Sequence, residues 1–143
     1  MEAVREILLL VKTVTFPEFH DIYHGTRAME QARLSVSVER LFRSLSKEIG
    51  HALYQKNHEL GSNHAADKGI ELALKIIDRL PEIKRLLYTD VQAIYDNDPA
   101  TEDFGEVILS YPVVHAMVHY RFAHELLKAG VPVLPRCSFL IIE

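Results

Sequence analysis

Cysteine is nearly absent: Cys137 is the only one in 143 residues. A single thiol forms no internal bridge, so disulfides are excluded as a fastening and a reducing, cytoplasmic compartment is expected. Long apolar runs are missing too. None reaches the ~18 residues that a membrane-spanning helix needs, so no membrane partner is expected. The N-terminal stretch EAVREILLLVKTV has a short apolar centre, but Glu2 and Glu6 precede it and no small-residue cleavage site follows. It reads as a helix and not as a signal peptide. Basic residues are in no excess, with 16 Lys and Arg against 20 Asp and Glu and a net charge of −4. No basic block stands out, so nucleic acid is not an expected partner. The six glycines are scattered and form no phosphate-cradling loop. There is no internal repeat, no low-complexity segment and no linker long enough to separate two domains. One domain of this length buries about 68–70% of the surface its unfolded chain exposes, enough for a core without staples.

What is present is helical periodicity. Leu34, Val38, Leu41, Phe42, Leu45, Ile49, Ala52 and Leu53 recur at spacings of three and four, while Ser35, Ser37, Glu39, Arg40, Arg43 and Lys47 fall elsewhere. That pattern predicts an amphipathic helix from near Thr26 to before Gly61. Turn chemistry follows at Gly61, with Ser62 or Asn63 expected to cap the next helix. Ile70, Ala73, Leu74, Ile77 and Leu80 make its stripe. Pro81 restarts the chain, because proline fits a first helical turn and not a helix interior. Ile83, Leu86, Leu87, Val91, Ile94 and Tyr95 continue an apolar face that has Asp90 inside it. A carboxylate there is costly unless hydrogen-bonded. A break is therefore expected, with Thr89 or Asp90 capping a short helix DVQAIYDN. Asp98 before Pro99 ends that helix. Residues 101–109 add a turn or two. The last strong helix spans 110–130, with Pro112 near its first turn and Gly130 just past its end. Beyond it VPVLPR reads as extended, and CSFLIIE as short, apolar and β-prone. The expected fold class is all-α, a bundle of about five to seven helices over residues 1–136 with a short apolar tail at 137–143. The segment from Phe16 to Gly25, holding His20, Asp21, Tyr23 and His24, is the least regular.

Few constellations suggest chemistry. His115 and His119 are four apart and share a helix face, a spacing that can chelate a metal. No HExxH pattern supplies a third ligand, so packing or surface imidazoles are the simpler reading and no metal is expected. His124 and Glu125 read as an exposed or interfacial pair. Cys137 lies in the apolar tail with no neighbouring histidine, which speaks against a catalytic thiol. No catalytic residue is assigned. The carboxylates Asp90, Asp96 and Asp98 allow two readings. Short polar side chains at a helix end before proline bond to nearby backbone. A carboxylate held at a helix terminus is also the natural counter-group for a substrate ammonium. Periodicity does not choose between them.

The segments TDVQAIYDNDPA, SYPVVHAMVHYRFAHELLKAG and VPVLPR occur in that order. Together they resemble the end of the helical N-terminal domain of serine O-acetyltransferases. The likeness is strong from Leu80 to Arg136 and loose before it. DPA followed by YP-x-x-H-A and YR-x-A-H-x-L is its most specific part. LPEIKRLLYTDVQAIYDNDPA and the VPVLPR ending look most like the bacterial branch whose N-terminal domain is long. The resemblance implies a helical domain that packs on a trimerising left-handed β-helix of hexapeptide repeats, where acetyl-CoA and L-serine bind between subunits. There a histidine, oriented by an aspartate, takes the serine hydroxyl proton and the alkoxide attacks the thioester. It implies further that the aspartate of the DPA motif, here Asp98, binds the serine amino group, with Pro99 and Ala100 shaping its turn. His115, Tyr120, Arg121 and His124 match family positions and read as packing and interface residues.

The chain shows no hexapeptide repeats, and after Arg136 only CSFLIIE follows. The catalytic histidine, its aspartate and the acetyl-CoA groove have no counterpart in it. The expectation is a helical domain that does not catalyse alone and holds no cofactor, with L-serine and acetyl-CoA as ligands only of a full-length enzyme. It would be a truncated or frame-altered copy, an isolated domain or a stand-alone descendant. A homo-oligomer is expected, since apolar surface that once met a neighbour seeks a new one. The alternative is a helical assembly or regulatory module without enzymatic activity.

Overall fold

The structure is a computed structural model that describes residues 2–17 and 25–140. His20, Asp21, Tyr23 and His24, and residues 141–143 of the tail, lie outside the described residues. Seven α-helices make up the described chain, with no strand. They are α1 (Glu2–Thr15), α2 (Arg27–Lys56), α3 (Ser62–Asp78), α4 (Leu80–Asn97), α5 (Phe104–Ser110), α6 (Pro112–Lys128) and α7 (Leu134–Leu140). A single 3-10 turn, His58–Leu60, joins α2 to α3. The all-α bundle expected from periodicity is what forms.

Helix α2 starts where its sequence says it should. Thr26 is the N-cap and its side chain accepts a hydrogen bond from the Met29 N–H, which satisfies one of the amide donors left over at a helix start. Leu41, Leu45, Ile49 and Ala52 are buried. The helix packs against α3 through backbone. A Cβ placed on Gly69 would lie 2.6 Å from the Ser46 carbonyl oxygen and 2.8 Å from the Gly50 nitrogen. This contact turns α3 so that Ala65, Gly69, Leu72, Ala73 and Ile76 face inward. Ile70 and Leu74, expected inside, are 43% and 50% exposed. The cap also differs from expectation. Gly61 holds the N-cap position at φ +77° with no side-chain hydrogen bond, and Ser62 is already helical. Glycine takes that left-handed backbone without a steric penalty.

Helix α4 is continuous through Asp90, so no break occurs. The carboxylate is satisfied in another way: Arg121 on α6 donates to it twice, at 3.0 and 2.8 Å. A two-pronged guanidinium bond removes the cost that had argued for a break. A second ion pair crosses to α6 at the start of α4, where Arg79 donates to buried Glu125 at 3.2 and 3.3 Å. Glu125 is therefore held by Arg79, while exposed His124 stacks on Tyr120. Helices α4 and α6 are thus tied twice, at the start of α4 and near its middle. Along the same contact Ile83, Leu87 and Val91 share the core with Val114, Val118, Phe122 and Leu126.

The end of the chain is a third difference. Gly130 and Val133 both take positive φ, 79° and 67°, and reverse the chain after α6. Residues 134–140 then form α7, against the extended and β-prone reading. Pro135 falls in the first turn of α7, where its missing N–H is no loss. Val131 and Leu134 are buried, and α7 packs against α6 and α1. Burial of Val131 and Leu134 at the start of this segment anchors the helix against α6 and α1.

Candidate functional site

The candidate site is the turn between α4 and α5, and it is built from cap residues. Asp98 is the C-cap of α4, with extended backbone, and its N–H donates to the Ile94 carbonyl at 3.1 Å. The chain then turns at exposed Pro99 and Ala100. Thr101 closes the turn, donating to the Asp98 carbonyl from its N–H at 3.2 Å and from its hydroxyl at 2.8 Å. Helix α5 begins at once. Its N-cap Asp103 accepts from the Glu106 N–H at 2.8 Å, and Glu106 reaches back to the Glu102 N–H at 2.9 Å. This reciprocal capping fixes the far side of the turn. Beneath it lie packed rings: Tyr88 stands 5.4 Å from Phe16 and 5.7 Å from Phe104 between centroids, and Tyr95 is 6.1 Å from Phe104. Hydrogen bonds from both flanking helices' caps hold the turn, next to this ring cluster.

The three carboxylates singled out in the sequence separate here. Asp90 is consumed by Arg121. Asp96 accepts from Gln92 at 2.8 Å on the exposed helix surface. Asp98 alone sits at the turn, half-exposed. Its Oδ1 accepts from the Ala100 N–H at 2.9 Å, and its Oδ2 accepts from the Tyr111 hydroxyl. These two bonds, the phenol first, hold its carboxyl below the usual range, so it is an anion at neutral pH. Tyr111 answers in kind: the hydrogen bond to Asp98 pushes its phenol up to about 12. Both readings of Asp98 therefore have a physical basis. It caps its own turn through Ala100, and it remains an accessible negative charge.

His115 and His119 meet a lysine. Lys12, buried on α1, places Nζ 2.7 Å from Nε2 and 2.9 Å from Nδ1 of His115. Its pKa is lowered by burial. Among the described residues no group of three His, Cys, Asp or Glu is placed to hold a metal ion. An ammonium group beside the pair would also repel a cation. His119 is half-buried, and its Nδ1 has no hydrogen-bond partner among the described residues. Burial, then the positive neighbours His115 and Lys12, lower its pKa. A histidine whose folded pKa is depressed gives full stability above its unfolded value near 6.5 and loses it as pH falls through the folded value. Urea unfolding should therefore show the midpoint falling below pH 6.5. His119→Leu, which removes the titrating ring, should flatten that fall. An equally steep fall in the variant would clear His119.

Sequence reasoning singled out Asp98 but gave Tyr111 no role. The signals for Tyr111 were its place before Pro112 and in the YP-x-x-H-A motif. The partnership of Asp90 and Arg121, 31 positions apart, had none. Lys12 was visible as a lone cation among Ile7, Leu8, Leu10, Val11 and Val14. Cys137 is a free thiol, half-buried against the core. No helix among the described residues is long and apolar enough to cross a membrane.

Comparison with known proteins gives a consistent result. No protein-family model matches the chain. It is 32% identical over 107 residues to a plasmid serine acetyltransferase of Synechococcus elongatus, covering 71% of this chain and 34% of that one. The serine acetyltransferase of Bacillus subtilis is 43% identical over 44 residues, 31% of this chain and 20% of that one. Among solved structures, serine acetyltransferase 1 of Entamoeba histolytica in complex with L-cysteine matches with a TM-score of 0.75 at 24% identity, covering 96% of this chain and 46% of that one. That likeness shows the fold. The chain spans about a third of the length of the Synechococcus relative.

Proposed function

This chain is a homologue of serine acetyltransferases, matching their helical N-terminal region, and from that premise we propose that it supplies the non-catalytic half of an acetyl transfer from acetyl-CoA to L-serine. Its contribution is Asp98, which faces the serine ammonium. The general base and the thioester site of that reaction lie outside these 143 residues. The observation that carries this reading is the state of Asp98: ionised, half-exposed, and held in a hydrogen-bonded turn. An ammonium needs a charge that is already formed and already desolvated in part. The compartment in this reading is the cytoplasm, where the lone half-buried thiol stays reduced. The test is direct. The purified 143-residue chain, given acetyl-CoA and L-serine, should release no CoA thiol above the blank. Joined in frame to the part of the Synechococcus relative that follows its matched segment, residues 1–136 should support turnover. Enzyme-like turnover by the chain alone would overturn the division of labour.

The exposed face of α2 and α3 supports a second role, in self-assembly. A groove of about 610 Å³ runs between these helices, lined by Phe42, Tyr54, Ala66 and Ile70 beside Arg43, Lys47 and His51. Together with Leu74 it forms an apolar strip on the outside of the bundle, the kind of surface that mates with a second copy. The wild-type chain should be a dimer or larger by light scattering, and Ile70→Lys should return it to a monomer. A wild-type monomer over a wide concentration range would remove this role and leave that of Asp98 untouched.

A further inference from the structure

We infer that Tyr111 is the positioning residue for the Asp98 carboxylate, orienting it for a cationic substrate group without neutralising it. This inference rests on Asp98 being the ammonium-binding group. The Ala100 N–H holds Oδ1 from within the same turn. One bond leaves a carboxylate free to swing about it. The Tyr111 hydroxyl holds Oδ2 from a different element, the junction of α5 and α6. Two donors from two elements fix the plane of the group.

Tyr111 is itself well anchored. Its N–H donates to the Val107 carbonyl at 3.2 Å. Pro112 restricts its backbone to the extended form it adopts, at φ −90° and ψ 115°. Its ring packs against the core. The chemistry of the donor matters as much as its place. A carboxylate offers about four acceptor sites. Two are used here, which leaves two for an incoming ammonium. An arginine or lysine at this position would orient the carboxylate equally well, but it would cancel the charge that an ammonium seeks, as Arg121 does at Asp90. A phenol donates one neutral hydrogen bond and leaves the anion intact. The hydrogen bond to Asp98, then burial, then the charges of Asp98 and Glu106 raise the phenol well above its ordinary value.

The test has two arms. In the 143-residue chain, one of the tyrosines should ionise near 12 by ultraviolet absorbance. Asp98→Asn should bring that phenol back toward an ordinary value, and Tyr111→Phe should raise the Asp98 titration followed by carbon NMR. In the fusion to the Synechococcus relative, Tyr111→Phe keeps the packed ring and removes only the hydroxyl. It should raise the serine KM about 10-fold, the loss of one hydrogen bond to a charged group. The KM for acetyl-CoA and kcat should stay within about twofold, and the acid limb of the serine KM profile should move to higher pH. A merely structural role would lower stability and leave that limb in place. If Asp98→Asn damages serine KM and Tyr111→Phe does not, the positioning role is wrong and Asp98 stands. If neither variant changes serine KM, both fail.

Discussion

Asp98→Asn, in the fusion of residues 1–136 to the part of the Synechococcus relative that follows its matched segment, is expected to raise the serine KM by about 10- to 100-fold. The substitution is nearly isosteric. An asparagine oxygen can still accept from the Ala100 N–H, so the turn keeps its local bond and the fold loses about 1 kcal/mol or less. What disappears is the charge. A hydrogen bond to an ionised partner contributes roughly 1.5–3 kcal/mol more than none, and this range sets the expected change. The acetyl-CoA KM should not move, because the thioester end of the reaction gains nothing from this carboxylate. Steady-state kinetics in each substrate, with the other saturating, separates the two. Asp98→Ala should match Asp98→Asn in serine KM and be less stable, since it also breaks the turn. Unchanged serine kinetics in both variants would reduce Asp98 to a helix cap.

Gly69→Ala is the second large effect. In most exposed helix interiors this change stabilises by about 1 kcal/mol, because alanine is the better helix former. Here the new methyl group would sit 2.6 Å from the Ser46 oxygen and 3.0 Å from the Gly50 Cα. The obstruction is backbone, which has no rotamer to change. Helices α2 and α3 must part, and Leu45, Ile49, Leu72, Ala73 and Ile76 lose contact with them. Overpacking of this kind costs about 1–3 kcal/mol and sometimes more. With the loosened contacts added, a net loss of about 2 kcal/mol or more is expected, visible as a drop in Tm of about 5 °C or more. Gly50→Ala is the internal control. Its Cβ would meet the Ala65 carbonyl at 3.4 Å, an ordinary contact, so it should be neutral or slightly stabilising. Equal effects at the two glycines would mean that the helices do not approach as closely as described.

Much of the fold was legible because local signals there agree with the tertiary outcome. Thr26 before an apolar stripe, Pro81 and Pro112 in first turns, and Gly130 past the end of α6 each mark a boundary by backbone chemistry alone. The misreadings occurred where a distant partner decided. Asp90 looked like a helix breaker because nothing near it in sequence could satisfy it, and Arg121 arrives from another helix. Ile70 and Leu74 looked buried because their spacing is helical. Gly69, one position before Ile70, sets the rotation of α3 through a contact with the backbone of α2. The final apolar segment looked β-prone, yet α1 and α6 offer it a surface that a helix covers.

For the candidate site the division is the same. The DPA turn, its carboxylate and its helix-end position were fixed by the order of residues, because capping and proline geometry act over a few positions. Whether that carboxylate would be buried, paired or open depended on what folded beside it. Asp90 acquired a guanidinium that offsets its charge. Asp98 acquired a phenol, 13 residues away, and kept its own. Sequence determined that both were acids on or at the end of one helix. Only packing, which brings side chains together irrespective of their separation along the chain, determined which one remained available to a ligand.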